Sequence, residues 1–349
     1  MFDMFERNAV PAAAALAVCF APLVVRADAV ADFYTGKQVS IEIGSEAGGG
    51  YDLYGRTVAR HFGRHIPGNP SVVAKNMPGA GSLKVANFIY NQAPKDGTEI
   101  GAPQNAVVFE KIFHTLSPDG GNALFDATKF NWLGSANESV YVFVSWHTSP
   151  VKAFQDVYAH QLIVGAPQAS TDNYTQAMVL NKMFGTHLKI ITGYGGSNAL
   201  ALALERGEIG GAVGNDWSTV LSTKPQWIAD KLVNLLLTVG LATRPALAGV
   251  PSVFDLAKTD EDRKVLELIC AKYGMSRPFM APPNLPPERA QALRAAFAET
   301  LKDPELLADA KKQRMEINLV TGEQVEALVK RIFQTPESLA SRARDVIKE

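Results

Sequence analysis

Residues 48–57 read GGGYDLYGRT and stand between a predicted strand and a predicted helix. The preceding stretch, QVSIEIG, alternates apolar and polar residues as a half-buried strand does. After the glycines, Tyr54, Val58 and Phe62 recur at helical spacing on one face. The same order of strand, turn and helix recurs at SVVAK, GTEIGAP, QLIVGAP and HLKIITGYGG. Strands that alternate with helices predict an α/β fold with largely parallel sheets.

The glycine-rich stretch partly matches a phosphate-binding loop. Gly50, Gly55 and Thr57 fit the pattern G-x-x-x-x-G-K-[ST], but Arg56 replaces the lysine and falls inside the predicted helix. The charge of Asp52 would repel a phosphate, and its side chain is better suited to capping the helix. We therefore expect the backbone N–H groups at this helix start to hold a different anion.

Residues 1–29 are predicted to form a signal peptide. Arg7 precedes the apolar run AVPAAAALAVCFAPLVV, and ADA then offers a cleavage site that ends at Ala27 or Ala29. The run contains prolines and is short for a membrane-spanning helix, which needs about 20 apolar residues. We predict export to the periplasm; a retained N-terminal anchor is the alternative.

Charge and cysteine content narrow the classes of function. The chain has 34 Lys and Arg and 35 Asp and Glu residues, and outside residues 1–29 the two signs balance. This balance predicts neither a nucleic-acid partner nor an anionic membrane surface. Cys270 is the only cysteine beyond the predicted signal peptide, so the fold is expected to depend on its core and not on a disulfide.

Two enzyme-like patterns are weak. The sequence YGGSNA around Ser197 approximates a nucleophile elbow, but all six histidines precede Ser197, whereas an α/β-hydrolase needs a histidine after the serine. His61 and His65 have the spacing of a metal-binding pair, but Phe62 stands where zinc peptidases have glutamate, and no third ligand is evident. We predict no catalytic residue, no metal and no cofactor, with an exported serine hydrolase as the alternative.

Glycine- and hydroxyl-rich loops that precede helices are the remaining candidates for a site. Helix N-termini supply unpaired N–H donors and a positive dipole end, together worth about 1–3 kcal/mol to a carboxylate. Such a site needs neither a nucleophile nor a metal. The loops with this composition are residues 48–52, 78–82, 104–105, 170–172 and 194–197.

Several segments resemble the receptors of tripartite tricarboxylate transporters, also called the Bug family. GGGYDLYGR is similar to the family's GG-x-x-D-x-x-A-R, VVAKNMPGAGS to V-x-x-N-x-P-G-A-G-G, and APKDGTEIG to A-x-P-DG-Y-T-L. YGGSNALALALERGEIGGAV and the closing MAPPNLPPERAQALRAAFAETLKDPEL resemble two further patterns. The resemblance runs from about residue 33 to the C-terminus.

The resemblance implies a two-lobed periplasmic-binding-protein-like fold of type II, with the ligand cleft between lobes that crossing strands join. Lobe one would comprise residues 30–136 plus 241–349, and lobe two residues 137–240. The implied function is a periplasmic receptor, expected to be a monomer, that binds a small organic carboxylate and delivers it to membrane carrier subunits. A ligand sensor that feeds a signalling receptor is the alternative.

Family positions and nearby aromatic residues together give the ligand-binding candidates. These loops carry tyrosine and tryptophan but no unpaired arginine or lysine, which favours a mono- or dicarboxylate with an apolar or aromatic body over a tricarboxylate. Departures from the family pattern, such as Glu46 and Gly55, leave the particular acid open. The candidates are Ser45, Gly48, Gly49, Tyr51, Asp52, Gln104, Asn105, Ser170, Thr171, Tyr194, Gly195, Asn215, Asp216 and Trp217.

Overall fold

The computed structural model of the protein describes residues 23–116, 120–167, 169 and 171–348. The predicted signal peptide therefore lies largely outside the described residues, and its cleavage stays a prediction. In the described part of the chain, no helix has both the length and the apolar composition that crossing a bilayer requires.

Thirteen helices are formed by the described residues. Their bounds are α1 (Leu23–Tyr34), α2 (Gly50–Phe62), α3 (Leu83–Asn91), α4 (Glu110–Phe113), α5 (Asp172–Phe184), α6 (Ser197–Glu205), α7 (Trp217–Thr223), α8 (Pro225–Ala229), α9 (Asp260–Cys270), α10 (Pro287–Thr300), α11 (Pro304–Lys312), α12 (Gly322–Phe333) and α13 (Glu337–Ile347).

The strands form two separate sheets. Strands of the first sheet are β1 (Gln38–Ile43), β2 (Ser71–Asn76), β3 (Glu99–Ala102), β4 (Asn131–Ser135), β10 (Pro278–Ala281) and β11 (Val320–Thr321), and strands of the second are β5 (Tyr141–Trp146), β6 (Leu162–Ala166), β7 (Leu188–Thr192), β8 (Gly211–Asp216) and β9 (Val233–Val239). Their orders are β11-β4-β10-β3-β1-β2 and β7-β6-β8-β5-β9.

The α/β prediction is confirmed, but each sheet is mixed and not largely parallel. Strands β2, β1 and β3 pair in parallel, as do β7, β6 and β8, whereas β10, β4, β11, β5 and β9 join by antiparallel pairing. The antiparallel strands include those next to the two connections between the sheets. The chain leaves the first sheet at the end of β4, enters the second at β5, and returns after β9.

Strand β1 is buried on both faces. Val39, Ile41 and Ile43 are fully buried and pack with the apolar stripe of α2, including Val58 and Phe62. Ser40 and Glu42, which alternate with them, are buried as well, while Gln38 at the start of the strand is exposed. Helix α2 is thus fixed against the first sheet, and its N-terminus lies at the carboxyl end of β1.

Elements from the C-terminal third also pack on the second sheet's helices. A core cluster places Val265 and Ile269 of α9 and Val346 of α13 together with Leu180 of α5. Residues 241–349 therefore contact both sheets, although the sequence assigned them wholly to lobe one. The lobe boundaries themselves stay a prediction.

Asp303 connects the end of α2 to the start of α11. Its carboxylate accepts a hydrogen bond from the Glu305 backbone N–H at 2.8 Å, and its Oδ2 lies 2.7 Å from His65 Nε2 and 2.6 Å from Arg64 Nη2. Burial opposes ionisation, but the contacts with His65, the Glu305 N–H and Arg64 outweigh it and lower the pKa of Asp303 to about 2.

Asp303→Asn should lower stability at neutral pH by roughly 1–2 kcal/mol, because the ion pair is lost while the helix cap can be kept. The folded-state pKa lies below the ordinary value of 3.8, so this stabilisation is present above that value and is lost as the pH falls towards about 2. Urea unfolding of both chains across this range measures the difference. A difference that does not shrink at low pH would contradict the assignment.

Candidate functional site

A cleft of about 490 Å³ lies between the two sheets, within the range of about 300–1,000 Å³ that small-molecule sites occupy. It is built at the carboxyl ends of parallel strands, where ligands bind in open α/β sheets. Residues from the first sheet's side include Tyr51, Gln104, Asn105, Thr115, Leu116, Lys272 and Arg277, and those from the second sheet's side include Tyr141, Thr171, Asp172, Asn173, Ser197, Asn198, Asn215, Asp216, Thr219, Lys224 and Trp227.

Arg277 lines this cleft and stands immediately before β10. Its guanidinium lies 4.4 Å from the ring centroid of Tyr51 and 5.0 Å from that of Tyr54. Nη1 donates to the Ser276 carbonyl at 2.9 Å, while Nε is buried and has no hydrogen-bond partner in the described part of the chain. A stacked, charged group with an unused, buried donor at Nε is therefore held at the wall of the cleft.

Arg277 has no ion pair among the described residues. Burial disfavours its charge, but the fields of Tyr51 and Asp216 outweigh this effect and raise the pKa of Arg277. The guanidinium is thus a permanent cation. Gly50 lies beside it, since a Cβ built on Gly50 would be 3.5 Å from Arg277 Nη2. The start of α2 and the guanidinium therefore present positive potential to the same region.

A hydrogen-bond network fixes the first sheet's side of the cleft. The Tyr51 hydroxyl donates to Asn105 Oδ1 at 3.0 Å, and Asn105 Nδ2 donates to the Lys272 carbonyl at 2.7 Å. Burial raises the pKa of Tyr51, which outweighs the opposite effect of Arg277, so the phenol keeps the proton that it donates. Tyr51, Asn105 and Lys272 are consequently held in one arrangement.

Lys272 and Tyr273 contact the start of α5 across the cleft. Lys272 Nζ lies 2.6 Å from Asp172 Oδ1, and the Tyr273 hydroxyl donates to the same oxygen at 2.8 Å. Gln176 Nε2 donates in turn to the Tyr273 hydroxyl at 2.9 Å. The charge of Lys272 is therefore matched by a carboxylate of the protein itself.

The end of β8 approaches the start of α5 closely. Gly214 has a φ of +72°, and a Cβ at this position would lie 2.8 Å from the Asn173 backbone nitrogen, so only glycine allows the contact. Asn173 Nδ2 donates to the Val213 carbonyl at 2.7 Å. Asp216 then caps α7, because its Oδ1 accepts from the Thr219 N–H at 2.9 Å.

Six of the predicted site residues line the cleft, and seven do not. Ser170 lies outside the described residues, so its role as a ligand contact stays a prediction. The residues that the structure brings together are Tyr51, Gln104, Asn105, Thr171, Asn215 and Asp216. The others, which do not line the cleft, are Ser45, Gly48, Gly49, Asp52, Tyr194, Gly195 and Trp217.

Asp52 holds the glycine-rich loop instead of facing the cleft. It lies within the first turn of α2 and is not its N-cap, which is Gly49. Its carboxylate accepts from the Gly48 N–H at 2.9 Å, from Arg56 Nε at 2.9 Å and from Asn76 Nδ2 at 2.8 Å. Although Asp52 is buried, these bonds, led by that from Gly48, lower its pKa. The Asp52 carboxylate therefore holds residues of the first sheet's side together and does not face a ligand in the cleft.

Trp217 and Tyr194 pack inside the second sheet's side. Trp217 is 3% exposed and belongs to a core cluster with Val142 and Leu200, so the prediction that it faces the ligand is not supported by its position. Tyr194 packs on that cluster, and its ring lies against Gly165. The residues that face the cleft at these two places are instead Asp216 and Ser197.

Sequence reasoning missed the basic residues of the site. Arg277 and Lys272 come from the stretch CAKYGMSRPFM, residues 270–280, which has no glycine-rich loop and leads into the antiparallel strand β10. Lys224 and Tyr141 were also missed. The predicted cleft loops indeed carry no unpaired arginine or lysine, but Arg277, which lines the cleft without an ion pair among the described residues, comes from outside those loops. Arg277 lies close to the start of α2 only through tertiary packing, so no local sequence pattern could identify it as a site residue.

Trp217→Ala should destabilise the unliganded protein by about 3–5 kcal/mol, the usual cost of removing a buried tryptophan. Urea unfolding measures this loss. Leu221→Ala is the matched control, because Leu221 is on the same helix and 43% exposed; it should cost less than about 1 kcal/mol. If the unliganded Trp217→Ala protein is as stable as the wild type, the core position of Trp217 is contradicted and its predicted contact with the ligand is supported.

No family model matches the chain, and no curated protein matches it. Among solved structures, a TctC solute binding protein from Polaromonas has a TM-score of 0.67 at 18% identity, covering 88% of this chain and 99% of that one. A protein from R. palustris with adipate has a TM-score of 0.60 at 16% identity, covering 88% and 97%. The periplasmic binding protein BugD has a TM-score of 0.60 at 17% identity, covering 90% and 98%.

These matches extend over nearly the whole of each solved chain, and they place TctC and Bug proteins among the structural neighbours. At such low sequence identity the likeness concerns the fold. The resemblance read from the sequence motifs is thereby confirmed at that level. The chain has the α/β fold of the TctC and Bug periplasmic solute-binding proteins.

Proposed function

We propose that the protein is a periplasmic receptor that binds a small organic carboxylate, with one or two carboxylate groups, in the cleft between its sheets. It then delivers this ligand to the membrane carrier subunits of a tripartite tricarboxylate-type transporter. The observation that carries the proposal is Arg277, whose charged guanidinium lines the cleft with a buried Nε that has no partner in the described chain.

A carboxylate satisfies the unused capacity of Arg277. A buried donor without a partner costs about 1–3 kcal/mol, and charge-assisted bonds to a carboxylate are stronger than neutral ones. Tyr51 and Tyr54 hold the guanidinium plane by stacking, so little side-chain freedom is lost when the ligand binds. The rigid cation selects an anion by charge and by planar geometry.

The rest of the cleft favours binding over chemistry. The side-chain amides of Gln104, Asn105, Asn198 and Asn215 surround the region. The described chain has no group of three acidic, histidine or cysteine side chains that could hold a metal ion. The solved relative with adipate is consistent with this class of ligand. Predicted export and the fold of periplasmic proteins support the location.

The hydrolase alternative depends on Ser197, which does line the cleft. A serine nucleophile needs a general base within hydrogen-bond reach, and none of the described cleft residues is a histidine. No observation therefore favours this alternative over the receptor.

Arg277→Gln should weaken carboxylate binding about 10–100-fold, because the neutral amide cannot replace charge-assisted bonds. Isothermal titration with mono- and dicarboxylates chosen by a thermal-shift screen measures the loss. At a hundredfold excess over Kd, ligand should stabilise the wild-type protein by about 2.7 kcal/mol. Arg206→Gln is the control, since Arg206 is exposed and away from the cleft, and it should bind normally.

Arg277→Lys separates charge from geometry. It keeps the cation but loses the planar fork, so it should retain part of the affinity that Arg277→Gln loses. Circular dichroism confirms that each variant folds. Unchanged affinity in folded Arg277→Gln, or a panel of carboxylates that leaves the melting temperature flat, would contradict the proposed function.

Treatment with a fluorophosphonate probe tests the enzyme alternative. We expect no labelling of the wild-type protein, because no histidine among the described cleft residues is in place to activate Ser197. Labelling that disappears in Ser197→Ala would establish a serine hydrolase. Deletion of the gene, followed by uptake of the identified ligand, distinguishes transport from sensing: lost uptake supports delivery to a carrier, and normal uptake supports a sensor.

A further inference from the structure

We infer that the ligand carries a single carboxylate and an uncharged, hydrogen-bonding distal end, and that the cleft rejects dicarboxylates. The inference rests on the proposed function and narrows its ligand class. The observation behind it is the distribution of charge among the side chains that line the cleft, where one cation is unpaired and one carboxylate faces it from the second sheet.

Among the described residues, three cations line the cleft, and only one of them is available to a ligand. Lys272 Nζ lies 2.6 Å from Asp172 Oδ1, and Lys224 Nζ lies 2.8 Å from Glu205 Oε1. Both ammonium groups are therefore neutralised by carboxylates of the protein. Arg277 has no such ion pair within the described chain, although the field of Asp216 reaches it. It can therefore serve one carboxylate of a ligand, and the described cleft residues offer no second free cation.

Asp216 adds a negative charge to the opposite wall. It lies at the end of β8, directly across from Tyr141 of β5, and no cation of the described residues forms an ion pair with it. Ser218 and Thr219 donate to its Oδ1 as part of the α7 cap, which fixes its position without neutralising its charge. A second carboxylate on the ligand would meet this charge in a partly desolvated cleft.

The field of the two acidic residues is felt by a neighbouring group. Burial raises the pKa of Tyr141 well above its ordinary value, and the charges of Asp172 and Asp216 raise it further. Tyr141 itself lines the cleft. The carboxylates therefore place negative potential at Tyr141, on the second sheet's side of the cleft.

Neutral polar groups lie on the same wall as Asp216. Asn173, Asn198, Asn215 and Thr219 line the cleft there. Amides and hydroxyls of this kind can exchange hydrogen bonds with an amide or hydroxyl group on the ligand. Together with Arg277 they fit a monocarboxylate whose far end is polar but carries no negative charge.

Matched ligands test the inference on the whole protein. Adipate and its monoamide have the same length and differ by one negative charge, as do glutarate and succinate and their monoamides. Titration calorimetry should show each monoamide binding about tenfold or more tightly than the corresponding dicarboxylate. Asp216→Asn should reduce this preference about tenfold, because asparagine keeps the helix cap while removing the charge.

Asp230→Asn is the matched control. It removes the same charge from the same side of the molecule, but Asp230 is exposed and outside the cleft, so the preference should not change. If Asp216→Asn does not fold, the preference of the wild-type protein decides the ligand class.

The outcomes separate this inference from the proposed function. Dicarboxylates that bind tighter than their monoamides, with affinity lost in Arg277→Gln, overturn the inference and leave the receptor proposal standing. A monoamide preference that persists in folded Asp216→Asn overturns the role given to Asp216. Absence of binding by every acid in the panel contradicts the proposed function, and with it this inference.

Discussion

The stacking of the Arg277 guanidinium on Tyr51 and Tyr54 joins the site to the framework of the molecule. The backbone of Arg277 is bonded to the chain where it leaves the first sheet. The Arg277 N–H donates to Ser135 Oγ at 3.0 Å, and the Ala136 N–H donates to the Arg277 carbonyl at 2.9 Å. The guanidinium then contacts the first turns of α2. Arg277 thus links the end of β4, the connection that follows it and the start of α2 to the cleft.

A second constraint acts from the other sheet. Asp172 at the start of α5 accepts from Tyr273 and pairs with Lys272, while Asn105 donates to the Lys272 carbonyl. The short segment 271–275 therefore has partners on both walls of the cleft. Lys272 of this segment pairs with Asp172, and Lys224 pairs with Glu205, which leaves Arg277 as the one cation without an ion pair among the described cleft residues.

The alternation of strands and helices was predictable from sequence because it depends on local patterns, whereas the pairing of the strands into two mixed sheets depends on long-range contacts. Gln104 and Asn105, which follow β3, and Asn215, near the end of β8, line the cleft because the carboxyl ends of parallel strands meet at one edge of a sheet. Arg277 was not predictable, since it precedes an antiparallel strand and arrives through long-range packing. Trp217 was misjudged because burial of its ring depends on neighbours from β5 and α6, which no local pattern specifies.

The anchoring cation and the opposing carboxylate belong to different sheets, with Arg277 just before β10 and Asp216 at the end of β8. Asp216 caps a short helix, a role that asparagine, serine or threonine can also fill. Substitution there can change the preferred ligand while the anchor, its stacking and the core remain intact. Such an arrangement lets receptors with one framework diversify in specificity by single mutations, at little cost to folding.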